Sequence, residues 1–128
     1  MKNQLFDLTK KVSLITGGNG GIGLGMAKGL ASCGSDIAII GRNIEKNLKA
    51  KEELAQFDVK VETYSIDVSD EKDVKGTISN VVNDFGRIDT VFANAGMNLF
   101  GGSFEGMDTE VYRKVLAVNL DGVFFTLR

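Results

Sequence analysis

Val12-Ser13-Leu14-Ile15-Thr16-Gly17-Gly18-Asn19-Gly20-Gly21-Ile22-Gly23 is the stretch that decides the fold. Its first five residues are short, β-branched and apolar on both parities, the pattern of a strand buried on both faces. Glycines follow at once, and beyond them apolar Ile22, Met26, Ala27 and Leu30 recur at helical spacing until Gly34 supplies a stop. Where a strand ends in a glycine turn and a helix begins, backbone N–H groups and the helix dipole converge to bind phosphate, and larger side chains would block the approach. A plain tight turn is the alternative. The strand before, the helix after and a βαβ unit of the right length favour the phosphate cradle.

Outward from this stretch, residues 36–40 (DIAII) form a second buried strand. A helix is expected over about residues 44–57, with Leu48 and Leu54 inward and Glu45 four residues before Lys49. Residues 60–66 suit a third strand, and residues 67–70 a turn and cap. Val74, Ile78, Val81, Val82 and Phe85 mark one face of a helix that Gly86 ends. Residues 89–93 are a fourth strand, 94–107 a glycine-rich loop, and Asp108 caps a last helix running to Arg128. Over residues 115–127 only Asn119, Asp121 and Thr126 are neither apolar nor glycine. That helix therefore calls for cover on two faces, one from the sheet and the other from a partner. Strands and helices alternate with short connections, which implies parallel strands and right-handed crossovers. The fold class is α/β, the first half of a Rossmann-type doubly wound sheet in strand order 3-2-1-4, with the ligand crevice between the first and fourth strands.

Composition removes several function classes. The chain has 128 residues, 15 basic and 17 acidic side chains and a net charge of −2, so it is one small domain or part of one. Hydrophobic residues at 43% and charged residues at 25% indicate neither disorder nor a basic nucleic-acid surface. Without histidine there is no Ser-His-Asp or Cys-His catalysis, and a lone Cys33 leaves no disulfide framework or CxxC site. No metal site is expected, and the compartment read from cysteine usage is a reducing cytoplasm. The N-terminus lacks a signal-peptide core and no run of about 18 apolar residues occurs, so a soluble protein without a membrane partner is expected. Lys46, Lys49, Lys51, Glu45, Glu52 and Glu53 are read as a solvated helix face.

Thr16-Gly17-xxx-Gly21-Ile22-Gly23 resembles the TGxxxGIG fingerprint of the short-chain dehydrogenase/reductase family, and three further stretches agree. Asp67-Val68 falls where that family holds an adenine ring with a carboxylate and a backbone amide. Asn94-Ala95-Gly96 looks like its NAG motif, with Ala93 in place of the commoner Asn. Asn119 matches the helix asparagine counted in its catalytic tetrad. Taken singly, Thr16 and Asp67 suit turns or caps, Asn94 a positive-φ turn and Asn119 a buried asparagine bonded to backbone. Jointly the spacings favour the family, whose resemblance covers the whole chain. It implies that Thr16, Gly17, Asn19, Gly20, Gly21, Ile22 and Gly23 serve cofactor binding, together with Asp67, Val68, Asn94, Ala95 and Gly96.

The end of the second strand bears on which cofactor. An acid there would hydrogen-bond the ribose 2′-OH of NAD, but Ile40 is followed by Gly41 and Arg42. Arg42, with Asn19 and Asn43, suits a 2′-phosphate clamp, which makes NADP the expected cofactor over NAD, although Arg42 as an ordinary surface residue stays open. Gly20 stands where many NADP-using relatives carry a basic residue.

The family's Tyr-x-x-x-Lys pair and its Ser are expected beyond the part of the family that this chain matches, because neither Tyr64 nor Tyr112 has a lysine four residues on. The chain is thus expected to be the N-terminal, dinucleotide-binding half (residues 1–128) of one domain, inactive alone. The resemblance implies an NAD(P)-dependent alcohol or carbonyl oxidoreductase with a small-molecule substrate, homo-oligomeric through the last helix. Within the family, the first glycine run looks most like gluconate 5-dehydrogenase and deoxygluconate dehydrogenase relatives, which implies a sugar acid or polyol. A noncatalytic nucleotide-binding or interaction module is the alternative; a methyltransferase fits the Asn94-Ala95-Gly96 and Asn119 matches less well.

Overall fold

The structure, a computed structural model, describes residues 4–98 and 102–128. A 3-10 turn at Gln4–Phe6 leads to β1 (Val12–Thr16), α1 (Gly21–Ser32), β2 (Asp36–Ile40), α2 (Ile44–Leu54), β3 (Val61–Tyr64), α3 (Glu71–Phe85) and β4 (Thr90–Ala93). A 3-10 turn at Phe104–Gly106 precedes α4 (Thr109–Leu116), a π turn (Ala117–Asp121) and α5 (Gly122–Leu127). The strands are parallel in the order β3-β2-β1-β4, as the alternation of elements requires.

Period-2 alternation divides the core between the two faces of the sheet. Ile15, Ile37 and Ile39 face Ala27 and Ala31 of α1 and Ala50 and Leu54 of α2. Leu14, Ala38 and Ile40 project the other way, onto Val74 and Val81 of α3 and Val118 of the π turn. Each fully buried Leu or Ile contributes about 1.5–3 kcal/mol, so the inner pair β1 and β2 is the stabilising centre. Side chains close the helix ends: Asn43 accepts from Lys46 N, Asp70 from Asp73 N and Asp108 from Glu110 N. Gly86 ends α3 in the left-handed region at φ 80°, where a Cβ is costly. Among the described residues no helix is long and apolar enough to cross a membrane.

Some expected details change. Leu48 is not inward: it is 53% exposed, and Asn47 is buried beside Ala50 and Leu54. Those three positions lie on one helical stripe, and a step of one residue turns Leu48 away by about 100°. The inner stripe of α1 is Gly23, Ala27 and Ala31, which leaves Ile22 at 75% exposure. α2 stops at Leu54, where the Phe57 N–H closes a turn onto Leu54 O at 3.0 Å. β3 stops at Tyr64 because its partner β2 ends at Ile40, opposite it, and Gly41 N then closes onto Tyr64 O at 3.0 Å. The last helix runs without a break but widens into a π turn over Ala117–Asp121, and one face is buried, at Val118, Gly122 and Thr126, while Leu120, Phe124 and Leu127 are exposed.

Candidate cofactor-binding site

At the carboxyl ends of the strands, beside the β1–β4 crevice, lies a cavity of about 410 Å³. Its floor is the glycine loop after β1, represented by Gly17, Asn19, Gly20 and Gly21. Arg42 and Asn43 line it from the end of β2, Asp67 and Val68 from the turn after β3, and Ala95 and Gly96 from the loop after β4. The four loops meet because every parallel strand ends on this edge, where open α/β sheets bind ligands.

The loop is shaped by close approaches. Gly17 has φ 67°, and a Cβ there would lie 3.0 Å from both Ala95 Cα and Asn94 Nδ2. A Cβ at Gly23 would collide with Gly17 O and lie 2.6 Å from Asn94 Nδ2. Only hydrogens at these positions let the first turn of α1 sit against the loop. Gly20, which precedes α1 as its N-cap, has no side chain, so the leading N–H groups of α1 donate to no cap side chain.

Five expected site residues, Thr16, Ile22, Gly23, Asn94 and Asn119, stand outside the cavity lining. Thr16 is buried: its hydroxyl accepts from Ala95 N at 2.9 Å and donates to Phe92 O at 3.5 Å, joining β1 to the β4 loop. Asn94 donates to Thr16 O at 3.1 Å and Gly17 O at 3.4 Å, so it braces the loop. Asn119 lies in the π turn and bonds the Met97 backbone through both ends of its amide. Such turns recur at functional sites because they re-aim one side chain of a helix. Ile22 is 75% exposed in the first turn of α1, beside the cavity's glycine loop.

The electrostatics are divided across the cavity. Arg42 Nη1 stands 3.9 Å from Asp67 Oδ2. Burial pushes the Asp67 carboxyl up, but the Ser69 N–H and hydroxyl on Oδ1, at 2.9 and 2.8 Å, and the Arg42 guanidinium together hold it below the ordinary carboxylate value. Asp67 therefore closes a turn and also presents a charged oxygen to the site. Ser65 Oγ donates to Arg42 O at 3.0 Å and links the loops after β2 and β3.

Sequence reasoning missed part of the lining. Lys46, assigned to a solvated face, lines the cavity from the first turn of α2, with Ile40, Gly41, Ile66 and Val118. Its signal is its place in the first turn of the helix that Asn43, next to Arg42, caps. Asn47, next to it, accepts from Asn19 Nδ2 at 2.7 Å and donates to Gly41 O at 2.8 Å. Among the described residues no three His, Cys, Asp or Glu side chains are grouped to hold a metal.

Comparison with known proteins agrees with this geometry. The profile of the short chain dehydrogenase family matches residues 11–128. Sorbose reductase of Schizosaccharomyces pombe is 35% identical over 124 residues, covering 95% of this chain and 49% of that protein. The NADP-dependent mannitol dehydrogenase of Hypocrea jecorina is 37% identical over 127 residues, covering 94% and 47%. An NAD+-bound xylitol dehydrogenase structure superposes with a TM-score of 0.91 at 37% identity, over 94% of this chain and 46% of that one. The chain spans about half the length of these relatives. With that match over nearly its whole length, the chain belongs to the short-chain dehydrogenase family.

Proposed function

We propose that the protein transfers a hydride between a nicotinamide dinucleotide, NADP in preference to NAD, and the CH–OH carbon of a polyol or sugar. The observation that carries the proposal is the cavity wall at the end of β2, which presents Arg42 and Lys46 and no acid, opposite a glycine loop where a Cβ at Gly23 would strike Gly17 O. The site fits the dinucleotide: hydrogens at Gly17 and Gly23 make room, and the uncapped start of α1 suits a pyrophosphate. Arg42, Asn43 and Lys46 would hold the 2′-phosphate, with Asn19 beside them. The Asp67 carboxylate and the Val68 N–H would hold the adenine. When bound, the nicotinamide supplies or accepts the hydride.

This chain's residues bind and orient. Asn94 and Thr16 keep the crevice shaped, and Asn119 fixes the loop at Met97 over which the substrate would sit. We place the proton-transferring Tyr-x-x-x-Lys pair and the Ser in a C-terminal half, and the protein in the cytoplasm. The apolar face of Leu120, Phe124 and Leu127 would be covered by a second copy of the protein. Names among the relatives, sorbose reductase and mannitol dehydrogenase, support a polyol or sugar substrate. The test is fluorescence titration of the full-length protein with NADPH and NADH, followed by NADP+-linked oxidation of a polyol panel. Tighter NADPH binding with polyol turnover is expected; nucleotide binding without turnover of any alcohol would make it a noncatalytic module.

A further inference from the structure

We propose that Asn47 is a positioning residue of the dinucleotide site, one that fixes Asn19, and with it the middle of the glycine loop, against the end of β2. The inference rests on the NADP-binding reading above and deepens it.

Asn47 is 2% exposed on the inner stripe of α2 with Ala50 and Leu54, a place where an aliphatic side chain would satisfy packing. Burying an amide there is costly unless it is bonded, and it is. Asn47 Nδ2 donates to Gly41 O at 2.8 Å and to Tyr64 O at 3.4 Å. Both acceptors are carbonyls, so the nitrogen end is fixed toward the ends of β2 and β3. Reversing the amide would set oxygen against oxygen. Asn47 Oδ1 is thereby left facing the glycine loop, where Asn19 Nδ2 donates to it at 2.7 Å. The orientation of Asn19 is imposed in turn, with its nitrogen toward α2 and its oxygen and second N–H left for the cavity it lines.

Gly41 belongs to the same device. A Cβ there would lie 2.6 Å from Asn47 Oδ1 and closer still to Asn19 Nδ2, so the relay closes only over a glycine. Before Asn19 the loop is packed, since a Cβ at Gly18 would lie 3.1 Å from both Ile15 O and Ile39 Cγ1, whereas beyond it a Cβ at Gly20 or Gly21 would meet nothing within 4 Å. The relay removes rotamer and loop freedom before a ligand arrives, which spares that ordering cost on binding. Because Asn19 abuts Gly41, the residue before Arg42, its orientation bears on the 2′-substituent of the adenosine ribose.

The experiment measures NADPH and NADH dissociation constants of the full-length protein as wild type, Asn47→Leu, Asn19→Ala and the double variant, with thermal melts. We expect Asn47→Leu to keep a cooperative melt and to weaken NADPH about tenfold, the scale of one charge-assisted hydrogen bond, and NADH by less than about threefold. The double variant should bind no more weakly than the weaker single one, because both break one link. Equal weakening of both nucleotides, unchanged NADPH affinity or additive losses would overturn the inference. Should Asn47→Leu fail to fold, Gly41→Ala wedges the relay apart from the loop side and must give the same NADPH-selective loss; wild-type affinity there also overturns it. A wild-type protein that binds neither nucleotide, or prefers NADH, overturns the cofactor reading and this inference with it; a wild type preferring NADPH with an indifferent Asn47→Leu overturns the inference alone.

Discussion

Asn119 and Met97 form a reciprocal pair: Asn119 Oδ1 accepts from Met97 N at 2.8 Å, and its Nδ2 donates to Met97 O at 2.9 Å. The side-chain amide thus imitates a neighbouring strand and holds the first part of the loop after β4 in a defined place. Asn119→Asp replaces the donor by a charged acceptor facing a carbonyl. It should destabilise by about 1–2 kcal/mol, read by urea unfolding, and lower kcat at least tenfold while nucleotide affinity holds.

The proposed NADP preference makes Arg42, at the end of β2, the residue to test. Arg42→Asp should weaken NADPH about ten- to hundredfold and leave NADH equal or tighter, as measured by fluorescence titration. Unchanged affinities would return Arg42 to an ordinary surface role.

Gly23→Ala tests the cradle. Its Cβ would meet Gly17 O and Asn94 Nδ2, both held by neighbouring structure, so the loop must shift. A stability loss of about 1–3 kcal/mol is expected from chemical denaturation, with nucleotide binding too weak to saturate.

Acid sensitivity follows from Asp89. Arg87 donates to it from Nε at 2.8 Å and Nη2 at 2.5 Å, and Val12 N at 2.9 Å, which together lower its carboxyl from 3.8 to about 2. A depressed folded value means stability that is present in full above the ordinary carboxylate range and lost as pH falls from about 4 to about 2. Thermal melts over that window should show a steep decline for wild type and a flatter one for Asp89→Asn.

Much of this arrangement is legible in the residues because it rests on local rules. β1 and β2 are read from runs buried on both faces, and Asp70, Gly86 and Asp108 mark helix ends by their own backbone chemistry. Asn47 was not legible, since its partner Asn19 lies 28 residues away and no local pattern distinguishes its stripe from that of Leu48. Lys46, one residue before it on a different face, reaches the cavity from the first turn of α2, which its run of charged neighbours does not reveal. The π turn carries no signature either: one widened step in the ladder of hydrogen bonds changes which residue faces the crevice without requiring a glycine or proline. The end of β3 is not legible in its own residues, because an edge strand ends where its single neighbour ends.

The Thr16 hydroxyl is also a built-in clock. The Ala95 N–H donates to it across the boundary between β1 and the loop after β4, outside the regular strand ladder. Deuterium can replace that proton only when the two edges part, so its exchange lifetime counts the openings of the crevice without waiting for the sheet to unfold. A lifetime shorter than those of the β1 and β2 amides would show the crevice breathing independently of the core, and its lengthening with added nucleotide would report occupancy at a single backbone atom.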